Sequence, residues 1–354
     1  METVRFALFG CGKIAVKHAA ALRQITHARL VAVCDVDAVM ARTVATRFEV
    51  PSYSDLDGLL AQHEVDVVCV LTPSGLHAAH AIQVAQTKKH VVVEKPMALT
   101  LDDADAMIRA CDEHGVKLFV VKQNRYNEAV VGLKRALVDE RFGKLVLGAV
   151  RLRWCRKQEY YDQAGWRGTW AMDGGVLANQ ASHHIDLLEW MMGPVDSVMA
   201  KISTRLSNIE VEDTGLAMFQ FRNGALGVVE ATTATRPRDL EGSISVLGER
   251  GSVELGGFAA DRVKHWEFSI PTPEDDAMRQ GGGPQRSAEQ QFAHGHAMYL
   301  QGVVESIRNH TKALVDGIEG RKSLELINAI YESAETGREV HLRFKPRLCR
   351  LGQK

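Results

Sequence analysis

The chain has 354 residues, of which 45% are hydrophobic and 25% charged. This is an ordinary globular composition, and the length suits two cores better than one. With 43 basic and 44 acidic side chains the formal net charge is −1, so neither nucleic acid nor a membrane is expected as a partner, although a local basic cluster could still meet an anionic substrate. Val4–Phe9 is an apolar run ending in glycine, and Lys13–Ile25 has helical periodicity. Leu30–Cys34 is a second strand, followed by a helix over Asp37–Phe48. Val65–Leu71, Val91–Val93 and Lys117–Val121 are three more strands, separated by helical patterns over Leu76–Thr87 and Asp102–His114. Continuous apolar strands alternating with amphipathic helices predict a doubly wound parallel sheet, an α/β Rossmann domain over residues 1–123.

The pattern changes beyond Lys122. A helix is predicted over Glu128–Val138, and then longer strands at Lys144–Trp154 and Val195–Thr204. Thr214–Phe221 and Ala225–Thr233 flank Asn223-Gly224, a strong hairpin turn; Ser243–Leu247 and Ser252–Leu255 flank Gly248–Gly251. Residues 124–354 therefore read as a second, α+β domain on a large open, mostly antiparallel sheet. Phe258–His296 is rich in Gly, Pro and Gln and reads as a long loop or lid. Tyr299–Ser333 reads as helical, with a closing strand near Val340–Phe344.

The six cysteines, Cys11, Cys34, Cys69, Cys111, Cys155 and Cys349, form no CxxC pair and no metal-ligand spacing. No apolar run approaches the roughly 20 residues of a membrane span. The N-terminus opens directly into a strand without a leader, so a cytoplasmic location is expected.

Gly10-Cys11-Gly12-Lys13-Ile14-Ala15 fits GxGxxG/A at a strand end and a helix start. Glycines there let the backbone approach a pyrophosphate resting on the helix N-terminus. Asp35 ends the second strand, where an acid accepts the adenosine ribose hydroxyls and repels a 2′-phosphate, so NAD is favoured over NADP. Thr72-Pro73-Ser74 with His77, and Glu94-Lys95-Pro96, follow the third and fourth strands, at the sheet edge where ligands bind. By spacing alone, Lys95 is equally compatible with a solvated surface lysine. Asn179, His183 and Asp186, spaced i, i+4, i+7, would share one helix face behind Gly174-Gly175. No metal site is expected, because His183, His184, His294 and His296 lack convincing ligand spacing.

The segments GCGKIA, TPSGLHAAHA, VVVEKPMAL and GWRGTWAMDGGVLANQASHHIDLLEW resemble, in order and spacing, the Gfo/Idh/MocA family of sugar and cyclitol oxidoreductases over nearly the whole chain. The resemblance implies that Lys95 and His183 meet the reacting hydroxyl and that Trp166 and Arg167 lie near the cofactor, a set to which Asn124 is added. The family usually has Asp where this chain has Asn179. Asparagine can orient the imidazole without charging it, which leaves Lys95 to share the proton or the developing alkoxide.

CRKQEYYDQAGWRGTW, LANQASHHID and the stretch from Tyr299 to Ala334 are more closely similar to the WlbA/WbpB group. That similarity implies NAD-dependent oxidation of the 3-hydroxyl of UDP-N-acetylglucosaminuronic acid in the making of bacterial surface polysaccharide such as lipopolysaccharide O-antigen. In some members of that group 2-oxoglutarate takes the hydride. Arg156, Lys157, Tyr160 and Tyr161, with Lys95, Asn179 and His183, form the expected substrate set; the basic turn around Arg156 is also compatible with plain solvation. Thr235-Arg236-Pro237-Arg238 is a weaker basic candidate. A dimer or tetramer built through the open sheet is expected, since its bare face needs a cover. A non-catalytic dinucleotide-binding regulator and an NAD-dependent glycoside hydrolase are the competing readings. The first would need neither Lys95 nor His183; the second would release UDP without net NADH.

Overall fold

The computed structural model describes residues 3–280 and 288–342. The first sheet is built from β1 (Val4–Phe9), β2 (Ala28–Cys34), β3 (Ser52–Tyr53), β4 (Val67–Val70), β5 (His90–Val93) and β6 (Leu118–Val120). These strands lie in the order β3-β2-β1-β4-β5-β6, all parallel. Between them run α1 (Lys13–Leu22), α2 (Ala38–Phe48), α3 (Leu56–Gln62), α4 (His77–Gln86) and α5 (Leu101–Glu113). The strand order reverses at β1/β4, which opens a crevice above the C-terminal strand ends. Helix starts are chosen by local chemistry: the Asp37 side chain accepts from the Val39 and Met40 amides, and Thr100 from the Asp103 amide.

After α6 (Glu128–Val138) come β7 (Leu145–Arg153), the short α7 (Gln158–Tyr161) and α8 (Ser182–Met192). The second sheet then adds β8 (Val195–Ser203), β9 (Thr214–Phe221), β10 (Leu226–Thr232), β11 (Glu241–Gly248), β12 (Gly251–Gly256) and β13 (Arg262–Phe268). After α9 (Pro273–Arg279), α10 (Ala288–Arg308) and α11 (Gly317–Thr336), β14 (Val340–His341) completes it. Its order is β13-β12-β11-β7-β10-β9-β8-β14, antiparallel except for the β7–β10 pair. Helices α8 and α11 cover one face. Among the described residues the other is bare: along β9, Ala217, Phe219 and Phe221 are buried, while Leu216 and Met218 are 52% and 61% exposed.

Four sequence expectations change. The supposed loop Phe258–His296 carries β13, α9 and the start of α10; its composition hid the alternating run RVKHWEF and the helix that follows (residues 281–287 lie outside the described ones). Tyr299–Ser333 is not one helical unit but two helices parted near Asn309–Asp316. The short β3 and α3 were not legible as separate elements. Asn179 is not on the helix of His183, since α8 begins only at Ser182. Of the expected closing strand, Val340–His341 is present and Phe344 lies outside the described residues.

Sheets and cores do not divide at the same place. Ala297, Tyr299, Leu300, Val303 and Val304 of α10 pack with Phe6, Leu8, Ala15 and Ala19 of the first sheet and α1. The junction is tied by charge as well. Arg125, in the turn Gln123–Tyr126 after β6, makes two hydrogen bonds to Asp186 of α8, at 2.8 and 2.9 Å, and one to Glu319 of α11. Lys122 lies 3.4 Å from the same carboxylate, and the side chains of Lys122, Arg125 and Asp186 are each at most 4% exposed.

Burial opposes the charge on Asp186, but Lys122 and Arg125 outweigh it and hold its carboxyl below the usual range. A depressed folded-state pKa contributes stability above the unfolded value, about pH 4, and loses it as pH falls through the folded pKa. Asp186→Ala is expected to cost about 3–5 kcal/mol, because it strands buried Lys122 and leaves Arg125 only its contact with Glu319. Urea unfolding at pH 7 measures that loss, and repeating it below about pH 4 should narrow the gap between variant and wild type.

Candidate active site at the domain junction

The glycine turn has the geometry a pyrophosphate needs. Gly10 has φ +106°, and a Cβ there would lie 2.7 Å from the Leu71 carbonyl carbon. Around Gly12 there is open space, and the first amides of α1 have no side-chain cap. Asp35 accepts from the backbone amides of Cys11 (2.7 Å) and Asp37 (2.9 Å), which aim its carboxylate beside that turn. Lys13, exposed at the helix start, reaches Gln163 of the second domain at 2.5 Å, and Ile14 packs against the core of the first sheet. Gly10, Gly12, Lys13, Ile14 and Asp35 thus fit a dinucleotide whose nicotinamide would carry hydride away from an alcohol.

The next motif does a different job from the one its sequence suggests. The ring of buried His77 lies between the Pro96 and Thr72 carbonyls, a nitrogen 2.8 Å from each, and because burial lowers its pKa the neutral ring donates to one of the two. His77 therefore braces the loops after β4 and β5 instead of offering a free nitrogen to a cofactor. Thr72 is held by His80 at 2.9 Å. Ser74 is buried, and beside it the Gly75 amide donates to the Met172 carbonyl; a Cβ on Gly75 would lie 2.4 Å from the Ala171 oxygen, so only glycine lets the two domains approach this closely here.

Glu94 is likewise a support. Its Oε2 accepts from the Lys95 amide at 3.0 Å and its Oε1 meets His18 at 2.8 Å, with His296 3.6 Å away. Burial opposes its charge, yet the hydrogen bond from His18 and the nearby His296 hold it well below the usual carboxylate range. The ligand atoms of His18, Glu94 and His296 fall within 4.8 Å of one another. The His18–Glu94 contact is a hydrogen bond of ordinary length within this buried polar cluster beneath Lys95.

Lys95 projects from the strand end toward the second domain. Its amine donates to the Asn179 backbone oxygen at 2.9 Å and to Asn179 Oδ1 at 3.2 Å. Burial lowers its pKa, and Lys122 and Arg167 push the same way, against Glu94 and Asp173. His183, 8% exposed, pairs with Gln123 at 3.1 Å and not with Asn179. Burial, then Lys95 and Lys122, hold its pKa well below the usual value, so the ring is neutral at pH 7. Asn179 therefore serves the lysine, contrary to the sequence expectation that it orients the histidine. His184 is buried apart, edge-on to Trp154, with its pKa brought down to about 4 by burial.

Sequence reasoning missed three residues here: Gln123, Arg125 and Asp173. None carries a spacing signal: Gln123 and Arg125 act across the fold, and Asp173 acts within irregular turns. Asn124, expected at the cofactor, is buried in the same turn between Gln123 and Arg125.

The loop after β7 gathers most of the expected substrate set. The Arg156 guanidinium lies over Trp154 and Tyr160, and that of Arg167 over Tyr160 and Trp166, each 4.6–5.6 Å from a ring centroid. Arg167 donates to the Tyr160 hydroxyl at 2.6 Å, and Asp239 pairs with Arg156 at 3.0 Å. Lys157 is exposed at the head of α7. Tyr161 is a correction: it is buried with its hydroxyl on Thr233 at 3.0 Å, so it is a floor for the ladder, not a hand toward the substrate. Arg236 spends its guanidinium on the Thr233, Thr235 and Arg156 carbonyls.

Comparison with known proteins fits this geometry. The profile of the oxidoreductase family's NAD-binding Rossmann fold matches residues 4–122, and that of its C-terminal alpha/beta domain matches residues 134–342. The WlbA dehydrogenase from Bordetella pertussis, solved with NADH and UDP-GlcNAcA, is 43% identical, with TM-score 0.91 over 97% of this chain and 99% of that one. WlbA from Chromobacterium violaceum, solved with the same two ligands, is 44% identical, with TM-score 0.91 over 98% of each chain. Among curated sequences, the D-apiose dehydrogenase of Paraburkholderia graminis is 27% identical over 95% of this chain and 89% of its own length. With both halves of the chain matched and the strand-end motifs assembled around one cleft, this NAD-binding oxidoreductase belongs to the Gfo/Idh/MocA family.

Proposed function

We propose that the chain oxidises the 3-hydroxyl of UDP-N-acetylglucosaminuronic acid, in the making of a bacterial surface polysaccharide. The observation that carries this reading is the likeness, at 43–44% identity over nearly the whole chain, to two dehydrogenases solved with UDP-GlcNAcA. More distant relatives act, by name, on apiose and inositols, so the family alone does not select the sugar. What supports the charged substrate is the ladder of Arg156, Tyr160, Trp166 and Arg167, whose two cations and flat rings suit an anionic, ring-bearing ligand.

In this reading Lys95 and His183 accept the hydroxyl proton as one unit. The neutral imidazole is able to take a proton, and burial lowers the cost of a neutral amine on Lys95. Asn179 holds the lysine, Gln123 holds the histidine, and Glu94 supplies a fixed negative charge below them. Re-oxidation of the cofactor in place by 2-oxoglutarate is read from the loss of bound NADH absorbance when 2-oxoglutarate is added to the purified protein.

Lys95→Ala and His183→Ala are each expected to lower kcat by about 10²–10⁴-fold while NAD still binds. The double variant should be little worse than the poorer single one, because the two residues act together. Steady-state kinetics with calorimetric NAD titration checks both points; near-normal turnover in both variants would move the proton elsewhere.

UDP-N-acetylglucosaminuronic acid should be oxidised far better than UDP-N-acetylglucosamine, and neutralising Arg167 as Arg167→Gln should narrow the difference. Equal kcat/KM for acid and neutral sugar would show that nothing reads the carboxylate.

The bare face of the second sheet, with Leu216, Met218 and Leu226 each more than half exposed, suits a second copy of the chain. Light scattering is expected to give a dimer or tetramer, and Leu216→Lys/Met218→Lys should weaken it; a strict monomer in the unmodified protein contradicts this.

A further inference from the structure

The two hydrogen bonds that Lys95 donates both end on Asn179, a neutral residue, yet a buried ammonium needs a countercharge. Glu94 beneath supplies the larger part of it, and a second acid stands one residue further back in the hydrogen-bond chain. Asp173 is 1% exposed, in the turns before α8. Its Oδ2 accepts from the Gly168 amide at 2.9 Å, and its Oδ1 accepts from Asn179 Nδ2. Asn179 then presents Oδ1 to the Lys95 amine. We propose that Asp173 is a positioning residue for the reaction: it fixes which end of the Asn179 amide faces Lys95, and through that amide it adds to the negative charge of Glu94 against which the lysine is held.

Hydrogen-bond polarity dictates the orientation. An ionised carboxylate only accepts, and an ammonium only donates. An amide placed between them satisfies both in one orientation alone. Both oxygens of Asp173 face N–H donors, an arrangement that an acid proton would break. Burial raises the Asp173 carboxyl, against the pull of the Gly168 and Asn179 hydrogen bonds and the charges of Arg167 and Lys95. The other ionisable groups facing the lysine are Glu94 from the end of β5, Lys122 from the segment after β6, Arg167 from the loop after α7 and His183 from α8.

Replacing Asp173 by asparagine leaves one acceptor for two donors. Either the Gly168 bond is lost or Asn179 turns over and aims its NH2 at Lys95. Exchanging the two residues, Asp173→Asn with Asn179→Asp, restores every bond. The amide now at the first position accepts from Gly168 and donates to the carboxylate now at the second, which meets the amine directly. Asn179→Asp alone puts two carboxylates in contact, one of which must take up a proton.

The inference rests on the reading that Lys95 takes part in proton transfer, and the test has one arm that needs no substrate. In full-length protein labelled with ¹³C-lysine and loaded with NAD, the Lys95 Cε resonance, assigned with Lys95→Arg, is followed against pH. Asp173→Asn should lower its titration midpoint by roughly one pH unit, and the exchanged pair should bring it back to the wild-type value or above. In the kinetic arm, Asp173→Asn should lower kcat roughly 10–100-fold and move the acid limb of its pH profile downward, and the exchanged pair should recover most of the rate. An unchanged midpoint in Asp173→Asn overturns the proposal, as does an exchanged pair whose midpoint falls below wild type. Should the single variant not fold, the exchanged pair decides by itself. If the wild-type protein leaves the UDP-uronate untouched, the substrate reading fails while the titration still judges Asp173.

Discussion

The carboxylate of Asp186, clamped between Arg125 and Lys122, is the contact on which the active site depends. It lies one helical turn beyond His183 on α8, and its cationic partners sit in the segment leaving the first sheet. Gln123, between those two cations, touches His183 itself. The imidazole is therefore located by the same short stretch of chain that ends the nucleotide-binding sheet. Two domains that met through apolar packing alone could slide by an ångström; a bidentate, fully desolvated ion pair has little such freedom. Glu319 extends the clamp to α11, so both helices under the second sheet are referred to one guanidinium.

The site is cationic at its rim and balanced at its floor. Arg156, Lys157 and Arg167 lie on the loop after β7, whereas Lys95 and Lys122 are each answered by a buried acid, Glu94, Asp173 or Asp186. This separates two tasks that pull against each other. A cation at the rim, even one paired as Arg156 is with Asp239, keeps much of its water and still attracts an anionic ligand. A cation at the floor has lost its water and must be matched by fixed charge or surrender its proton. His183, neutral and next to two lysines, is on the side of that balance where it accepts rather than donates.

How much of this was legible in the sequence follows from the range of each interaction. The glycine turn, Asp35 and the EKP strand end are local, and strand-turn-helix context placed them correctly relative to the first sheet. The hairpins of the second sheet were legible for the same reason. Asn179 was misplaced because an i, i+4 spacing was read as helix across a stretch that is a run of turns; the consequence was the wrong partner, His183 for Lys95. Arg125, Gln123 and Asp173 left no trace, since the partners of the first two lie about 60 residues away and Asp173 works through a side chain in the same irregular turns. Tyr161 looked like its neighbour Tyr160, and only burial distinguishes them.

The return of α10 to the first domain bears on how the chain is born. One face of the nucleotide-binding sheet, including Phe6 and Leu8, is closed by Tyr299, Leu300, Val303 and Val304. A ribosome adding about 5–20 residues per second will have made all of the first sheet and β7 to β13 of the second before it delivers that cover. The N-terminal half thus emerges first yet is closed only late, with an apolar face waiting through most of synthesis. That interval is when a nascent chain of this design most needs a chaperone.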